Sequence, residues 1–588
     1  MEWGRSINEV TEGSIRPERS KDPRSASNLF TIFFLLSWST ILELLATSSV
    51  SSTIDLALFW FAVIALVGSF YSGFFLGQKF MTLMVEALMM VGVFLSIYYF
   101  APRVGLYQYD SLLNYASALS LEKYGWFLGH PTPSYLATVS PWSLLDFLLL
   151  ETARIGGLPL LAAAKVLPVF LGLISSVMFF GFVSTLSDRR IATMLLPAFV
   201  AIDSWLWLNA GLVREAYATP EMWLFLWFYV KRIREAKLQW TVLLMLLLPV
   251  LVLSHSLIDF VTALFLGFHW MYSLLVKLHS RPAHAGGASF VPRLSLLAIL
   301  AVGTVGFWAY LTLVPFTLLT GFVQEIIAGY HFERLSLGPR DWPVRLYYQY
   351  VGYAAFGLAF VVMILKRSGR NFPEQSFFPE RMLAAWPLFI VAWAESLTFT
   401  QTLYFQVARY AAIAWQFLVV GIGAIAGRFS RARLTILVAI FVIFNLSLIP
   451  PYIYDQSFSA NYAIAEVRQY FSETDYGMGT WVADHIPFQK SVACDEGDFH
   501  LVVFAGRESA CATNVSAIEG AAKAASYYDF ILVRDENFYG IFAVFAKANR
   551  TGVLSRASFE SDLSSPSLSL VYSNGGAWVF ASNDQNGP

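Results

Sequence analysis

Residues 80–115 read FMTLMVEALMMVGVFLSIYYFAPRVGLYQYDSLLNY. From Phe80 to Phe100 the run carries one charged residue, Glu86, and it matches the roughly 20 apolar residues that cross a bilayer as a helix. The chain then turns polar and aromatic, with Tyr107, Tyr109, Asp110 and Asn114 in quick succession. An acid among tyrosines, directly after a membrane-length run, is how a site at a membrane surface would be written.

The rest of the chain repeats the first half of that pattern. Of its 588 residues 57% are hydrophobic and only 13% charged, and the mean hydropathy is +0.58. A soluble domain carries about 25% charged residues. With a window of about 19 residues the sequence predicts about thirteen spans, near 29–47, 54–77, 80–100, 158–186, 191–208, 216–230, 240–254, 257–276, 294–314, 347–365, 382–400, 410–427 and 434–450. Pro141–Leu150 is apolar but too short to cross, and reads as an interfacial or re-entrant helix. The expected fold is therefore an all-α polytopic membrane protein. The net charge of −1 gives no basis for nucleic-acid binding. There is no P-loop, HExxH, GxSxG in a strand-turn-helix setting, or Cys/His cluster.

Basic residues set the expected orientation. Arg16, Arg19, Lys79, Arg189, Arg190, Lys231, Arg232, Lys366, Arg367, Arg428 and Arg431 fall in alternate loops, which places residues 1–28 in the cytoplasm as an N-terminal tail. The membrane domain is expected over 29–451, with long outward loops at 101–157 and 315–346. After Pro450 and Pro451 the composition changes, and 452–588 reads as an extracytoplasmic α/β domain. Ala463–Phe471 and Gly477–His485 are helical in pattern, Ser491–Cys494 and Phe530–Val533 strand-like, and LSLVYSNGGAWVFAS is a hairpin around Asn574-Gly575. Asn514 and Asn549 begin glycosylation sequons, which suits an outside location. Cys494 and Cys511, the two cysteines, have sixteen residues between them in this region. They are a candidate disulfide, worth about 3 kcal/mol for a loop of that size; the alternative is two buried free thiols.

Charge in or beside a span is costly and marks a functional candidate. Here such residues gather at the outward ends: Asp110, Lys165, Asp203, Arg214, Glu215, Glu221, His255, Asp259, Arg345, Glu395 and Arg409. Arg214, His255, Arg409, Lys165 and Arg345 are candidates to hold a lipid phosphate, since a guanidinium offers paired donors to phosphate oxygens. Asp110 is the candidate base, with Tyr107, Tyr109, Asn114 and Asp259 as substrate contacts. Plainer roles exist for each: Lys165 and Arg214 as snorkelling anchors, and His255 as a packing residue with an ordinary helical contact to Asp259.

Several segments together resemble the GT-C superfamily of membrane glycosyltransferases, which includes protein O-mannosyltransferases, aminoarabinose transferases and oligosaccharyltransferase catalytic subunits. They are YQYDSLLNYASALSLEKYGWF, PWSLLDFLLLETARIGGLPLL, AAAKVLPVFLGLISSVMFFGFVSTLSDRR, LVREAYATPEMWLFLWFYVKR and LSHSLIDFVTALFLG. The resemblance implies transfer of a sugar from a polyprenyl-phosphate-linked donor to a protein, lipid or glycan acceptor outside the cytoplasm, in cell-envelope glycan or glycoprotein synthesis. It also implies that Asp110 is the acceptor base of an inverting reaction or, as in the oligosaccharyltransferase branch, a ligand to a divalent metal such as Mg or Mn. The sequence departs from the pattern in three ways. Two extra spans precede the acidic loop, the nearest acid to Asp110 in the loop is Glu122, and WWDYG is missing, with only Tyr476-Gly477 and Trp481 echoing it. That leaves the metal open and argues against en bloc transfer to Asn. The other readings are an oligosaccharide transferase or ligase, and, from a different class, a scaffold or a transporter.

Overall fold

The apolar run from Phe80 forms a helix whose two sides are both hydrophobic. In this computed structural model Leu83, Ala87, Met90, Phe94 and Ile97 are buried at helical spacing, while Met81, Val85 and Leu88 point out. Water would not tolerate that outer face, and lipid does. The structure describes residues 23–46, 53–99, 106, 109–124, 144–202, 205–206, 209, 211–279, 294–310, 320–321, 323–324, 386–387, 389–390, 407–426, 429–447, 472–487, 489–494, 501–505, 512–513, 527–534 and 556–583.

Within them lie helices α1 Pro23–Ala46, α2 Thr53–Phe75, α3 Phe80–Tyr99, α4 Tyr109–Tyr124, α5 Leu144–Gly156, α6 Leu160–Leu186, α7 Arg189–Val200, α8 Arg214–Glu235, α9 Leu238–Ser254, α10 Ser256–His279, α11 Leu294–Tyr310, α12 Val407–Ile425 and α13 Arg431–Ser447. Among the described residues five stretches are long and apolar enough to cross a membrane: Asn28–Leu45, Ala57–Phe75, Phe80–Ile97, Leu160–Leu186 and Ser256–Leu275. Leu238–Ser254, Ser295–Ala309 and Ala412–Ala424 are apolar but shorter. The chain is a membrane protein of mainly helical build. The spans expected at 347–365 and 382–400 lie wholly or mostly outside the described residues, as do both sequons and the helical pattern of 463–471.

Inter-helix packing in lipid rests on close fit rather than on expulsion of water. Helix α6 lies along α8 with Gly181 against the indole of Trp227, where a Cβ would meet ring atoms at 2.8 Å. Around them Phe179, Phe199, Trp223 and Phe417 form a buried aromatic cluster; Phe179 and Phe199 stack at 4.1 Å, and Trp223 meets Phe417 at 5.1 Å. Trp223 Nε1 also donates to Gln416 Oε1 at 3.2 Å, tying α8 to α12.

Helices α4 and α5 share a second core with the first half of α6 and the C-terminal segments. There Glu473–His485 forms α14, started by a capping box in which Ser472 accepts from the Asp475 amide and Asp475 accepts in return. Val492–Cys494 (β1), Ala512–Thr513 (β2), Phe530–Arg534 (β3), Leu568–Ser573 (β4) and Ala577–Ser582 (β5) make a sheet ordered β2-β1-β3-β5-β4. The expected hairpin is present: β4 and β5 pair antiparallel, and the turn places Gly575 at φ +89°, a left-handed conformation suited to glycine. Helix α15 covers Arg556–Leu563. Leu112, Leu121, Leu145 and Leu149 of the loop helices bury together with Met478, Val482, Val492, Leu532 and Val579. The Leu106 amide donates to Tyr476 Oη at 3.1 Å, and Phe504 packs against both Tyr115 and Tyr476. The C-terminal segments thus sit on the loop that carries Asp110.

Candidate active site

Helix α4 carries a polar stripe at three-residue spacing, and the stripe fixes its seat. Ser111 Oγ accepts from the Leu212 amide at 2.8 Å, Asn114 Nδ2 donates to the Leu212 carbonyl at 2.7 Å, and Ser117 Oγ donates to Asp146 Oδ2 at 2.6 Å. The opposite side is apolar, with Leu112 and Ala116 buried. Clamping both backbone groups of Leu212 sets the first turn of α4 beside the start of α8. Asp110 is thereby brought to Arg214 and Glu215.

Glu215 lies in the first turn of α8, where the unpaired amides of a helix N-terminus favour an anion. Opposite it stands Arg409, in the first turn of α12. Its Nη1 is 2.7 Å from Glu215 Oε1, and its Nη2 donates to Asp110 Oδ2 at 3.0 Å. The first contact is short but does not satisfy hydrogen-bond geometry, so it is an ion pair of poor angle. The register behind this meeting is legible one level down. Trp223 lies eight residues after Glu215 and Gln416 seven after Arg409, so α8 and α12 run side by side in the same direction, with contacts about 10–12 Å apart.

His255, between α9 and α10, completes the group. Its Nε2 is 3.6 Å from Glu215 Oε1, and its Nδ1 accepts from the Leu257 amide at 3.2 Å. That backbone donor assigns the neutral-ring proton to Nε2, which faces the carboxylate. Arg214 is buried, with its Nη2 3.9 Å from Asp146 Oδ2. This is an electrostatic contact, not a hydrogen bond, and Arg214 Nε and Nη2 and Asp146 Oδ1 have no hydrogen-bond partner among the described residues. Asp146, on the loop helix α5, is fully buried. Burial pushes its carboxyl up to about 6, against the opposing pull of Arg214 and Ser117.

Three carboxylates, two guanidiniums and an imidazole therefore meet at one end of the apolar helices, contributed by α4, α5, α8, the α9–α10 junction and α12. Of the residues singled out from sequence, Asp110, Arg214, Glu215, His255 and Arg409 belong to this group. Asn114 serves it from behind through Leu212. Asp259 lies elsewhere, accepting from Thr304 Oγ1 at 2.6 Å and so joining α10 to α11. Lys165, half-buried on α6, makes no ion pair with a described residue. Arg345, Tyr107, Asp203, Glu395 and the side chain of Tyr109 lie outside the described residues. Cys494 is buried on β1 and disulfide-bonded, while Cys511 also lies outside them.

Sequence reading gave no role to Asp146 and counted Glu215 among the outward polar candidates without a role of its own. Each carried a signal. In LLDFLLLE the first of the two acids, Asp146, falls on the same face as Leu145, Leu149 and Leu150, the face an amphipathic helix buries. Glu215 adjoins an arginine at a helix start. At the other end of the spans Glu86 is buried as well, but Thr31 and Gln78 satisfy it at 3.1 and 3.0 Å.

No protein-family model matches the chain, and no curated protein does. Solved structures similar to it include the Archaeoglobus fulgidus oligosaccharyltransferase in complex with Zn and sulfate, at 14% identity and a TM-score of 0.44 over 78% of this chain and 69% of that one. Another is ArnT from Cupriavidus metallidurans bound to undecaprenyl phosphate, at 12% identity and a TM-score of 0.41 over 85% of this chain and 98% of that one.

Proposed function

We propose that the chain is a membrane glycosyltransferase of GT-C type that moves a sugar from a polyprenyl-phosphate-linked donor to an acceptor on the outer face of the membrane. The observation that carries this reading is the convergence of Asp110, Glu215, His255, Arg214 and Arg409 at the end of the apolar helices. Such a cluster is expensive to maintain beside lipid and needs a use. A lipid phosphate offers one, because its tail stays among the apolar helices while its head reaches the cations.

In this reading the acceptor hydroxyl approaches Asp110, whose side chain is 49% exposed and so open to a substrate. As the acceptor oxygen attacks the anomeric carbon from the face opposite the phosphate, its proton passes to the Asp110 carboxylate. The bond from anomeric carbon to phosphate oxygen breaks, and the polyprenyl phosphate leaves with the electron pair. Arg214 and the Nε2–H of His255 are the donors for that leaving oxygen, with Lys165 and Arg345 as further cations. The N-terminus is cytoplasmic and the C-terminal segments are extracytoplasmic, which suits a disulfide between Cys494 and Cys511.

The test is reconstitution of the purified chain in vesicles with a panel of radiolabelled polyprenyl-phosphate sugars and extracted envelope acceptors. Transfer by wild type that falls at least a hundredfold in a folded Arg214→Ala variant supports the reading. Equal transfer by wild type and Arg214→Ala, or no transfer of any panel sugar, overturns it in favour of a scaffold.

A further inference from the structure

The resemblance to oligosaccharyltransferases would put a divalent cation, Mg or Mn, on Asp110. A hard cation takes oxygen ligands, and a bridging Mg would need them at about 2.0–2.1 Å. The structure supplies a second acid, Glu215, at the right place for a bridge. The gap between the two carboxylates is already filled, however. Arg409 places Nη2 3.0 Å from Asp110 Oδ2 and Nη1 2.7 Å from Glu215 Oε1, so one guanidinium spans the oxygens a metal would bridge.

The neighbours point the same way. His255 turns its Nε2–H toward Glu215 Oε1 at 3.6 Å, and a nitrogen that carries a proton does not coordinate. Arg214 adds a second positive charge that interacts with Asp110, Glu215 and Asp146. A dication would enter between two guanidiniums and gain two carboxylates at most. Among the described residues no group of three or more His, Cys, Asp and Glu could hold a metal. Arg409 is also held in place from below, because the Trp223–Gln416 hydrogen bond sets the register of α8 against α12. The residues do not fit the metal.

We propose that Arg409 is the built-in cation of this site: its guanidinium neutralises and aligns the Asp110–Glu215 pair where a metal-dependent relative would place a divalent ion, and the chain works without one. A guanidinium suits that task because it stays charged at any accessible pH and can give a separate nitrogen to each acid. Arg409 is thus a positioning residue that acts through Asp110. The inference concerns the same site as the glycosyl-transfer reading but has its own readout, metal binding, and so can fail separately.

The experiment is a Mn2+ titration of the full-length protein in detergent, followed by electron paramagnetic resonance, on wild type, Glu215→Gln and Arg409→Ala. Wild type is expected to show no Mn2+ binding that depends on Glu215, a result that requires no variant of Arg409 to fold. Folded Arg409→Ala is expected to gain a Mn2+ site, lost again when Glu215→Gln is added, which no merely structural role would produce. A wild-type Mn2+ site abolished by Glu215→Gln, or a folded Arg409→Ala that gains none, overturns the proposal. Where transfer is measurable, it should survive chelator treatment; loss restored by added Mn2+ would also overturn it. If no transfer is seen, the binding arms still decide the metal question, and only the glycosyl-transfer reading falls.

Discussion

Helix α5 should loosen as the pH rises, and Asp146 should be the cause. Burial is the larger influence on this carboxyl, which is pushed up from 3.8 to about 6 even though Ser117 and Arg214 oppose the shift. A group whose affinity for protons is higher in the folded state contributes stability below its unfolded value and loses it as the pH passes its folded value. The window therefore opens near pH 4 and closes above pH 6. Each pH unit between the two values is worth roughly 1.4 kcal/mol, so the ionised carboxylate costs α5 about 3 kcal/mol at neutral pH. That is roughly a hundredfold in the opening constant of the helix. Hydrogen exchange of the 144–156 peptide, corrected for the intrinsic pH dependence of amide exchange, measures it. Protection in wild type should fall about a hundredfold between pH 4 and pH 7, while Asp146→Asn should hold it flat across the same window. A difference between the two proteins that does not change with pH would refute the reasoning, because Asp146 would then not change its charge there.

Other expectations follow from single contacts. Gly181→Val should push α6 off the Trp227 indole and cost about 1–3 kcal/mol, seen as a lower melting temperature in detergent; an unchanged melt would mean that the helices are not packed as described. Tyr476→Phe keeps the ring against Phe504 but removes the hydroxyl that accepts from Leu106. The Leu106 amide should lose protection, with a stability loss of about 1–2 kcal/mol. Ser111→Ala combined with Asn114→Ala unclamps Leu212 and should lower sugar transfer at least tenfold while donor binding stays the same, since Asp110 is misplaced but the cations are not. Transfer at the wild-type rate would show that the clamp does not position Asp110.

What could be read from sequence, and what could not, divides by range. The span at Phe80–Phe100, the short helix near Pro141–Leu150 and the hairpin around Asn574-Gly575 were legible because the period and the turn residues are local. So was the gathering of polar residues at one end of the spans. Their partners were not. Arg409 read as a phosphate ligand because it stands at the start of a span, where a lipid head group would be met; its two carboxylates come from positions 299 and 194 residues away. His255 was weighed against Asp259, four residues on, but the turn between α9 and α10 aims it at Glu215, and Thr304 takes Asp259. Asp146 stayed hidden because one acid in a leucine-rich helix reads as its solvent edge until a neighbouring helix covers it. The second core, in which α4 and α5 meet α14 and the sheet, likewise depends on contacts across more than 300 residues that no local pattern announces.

The central claim is that Asp110 takes the acceptor proton while neighbouring cations hold the donor phosphate. Single-turnover transfer from a polyprenyl-phosphate sugar, measured beside donor binding on the same folded protein, tests it most directly. Asp110→Asn should bind donor within about twofold of wild type and lose at least a hundredfold in transfer, the range expected for removal of a general base. Donor binding and transfer both at wild-type levels in Asp110→Asn would contradict the account.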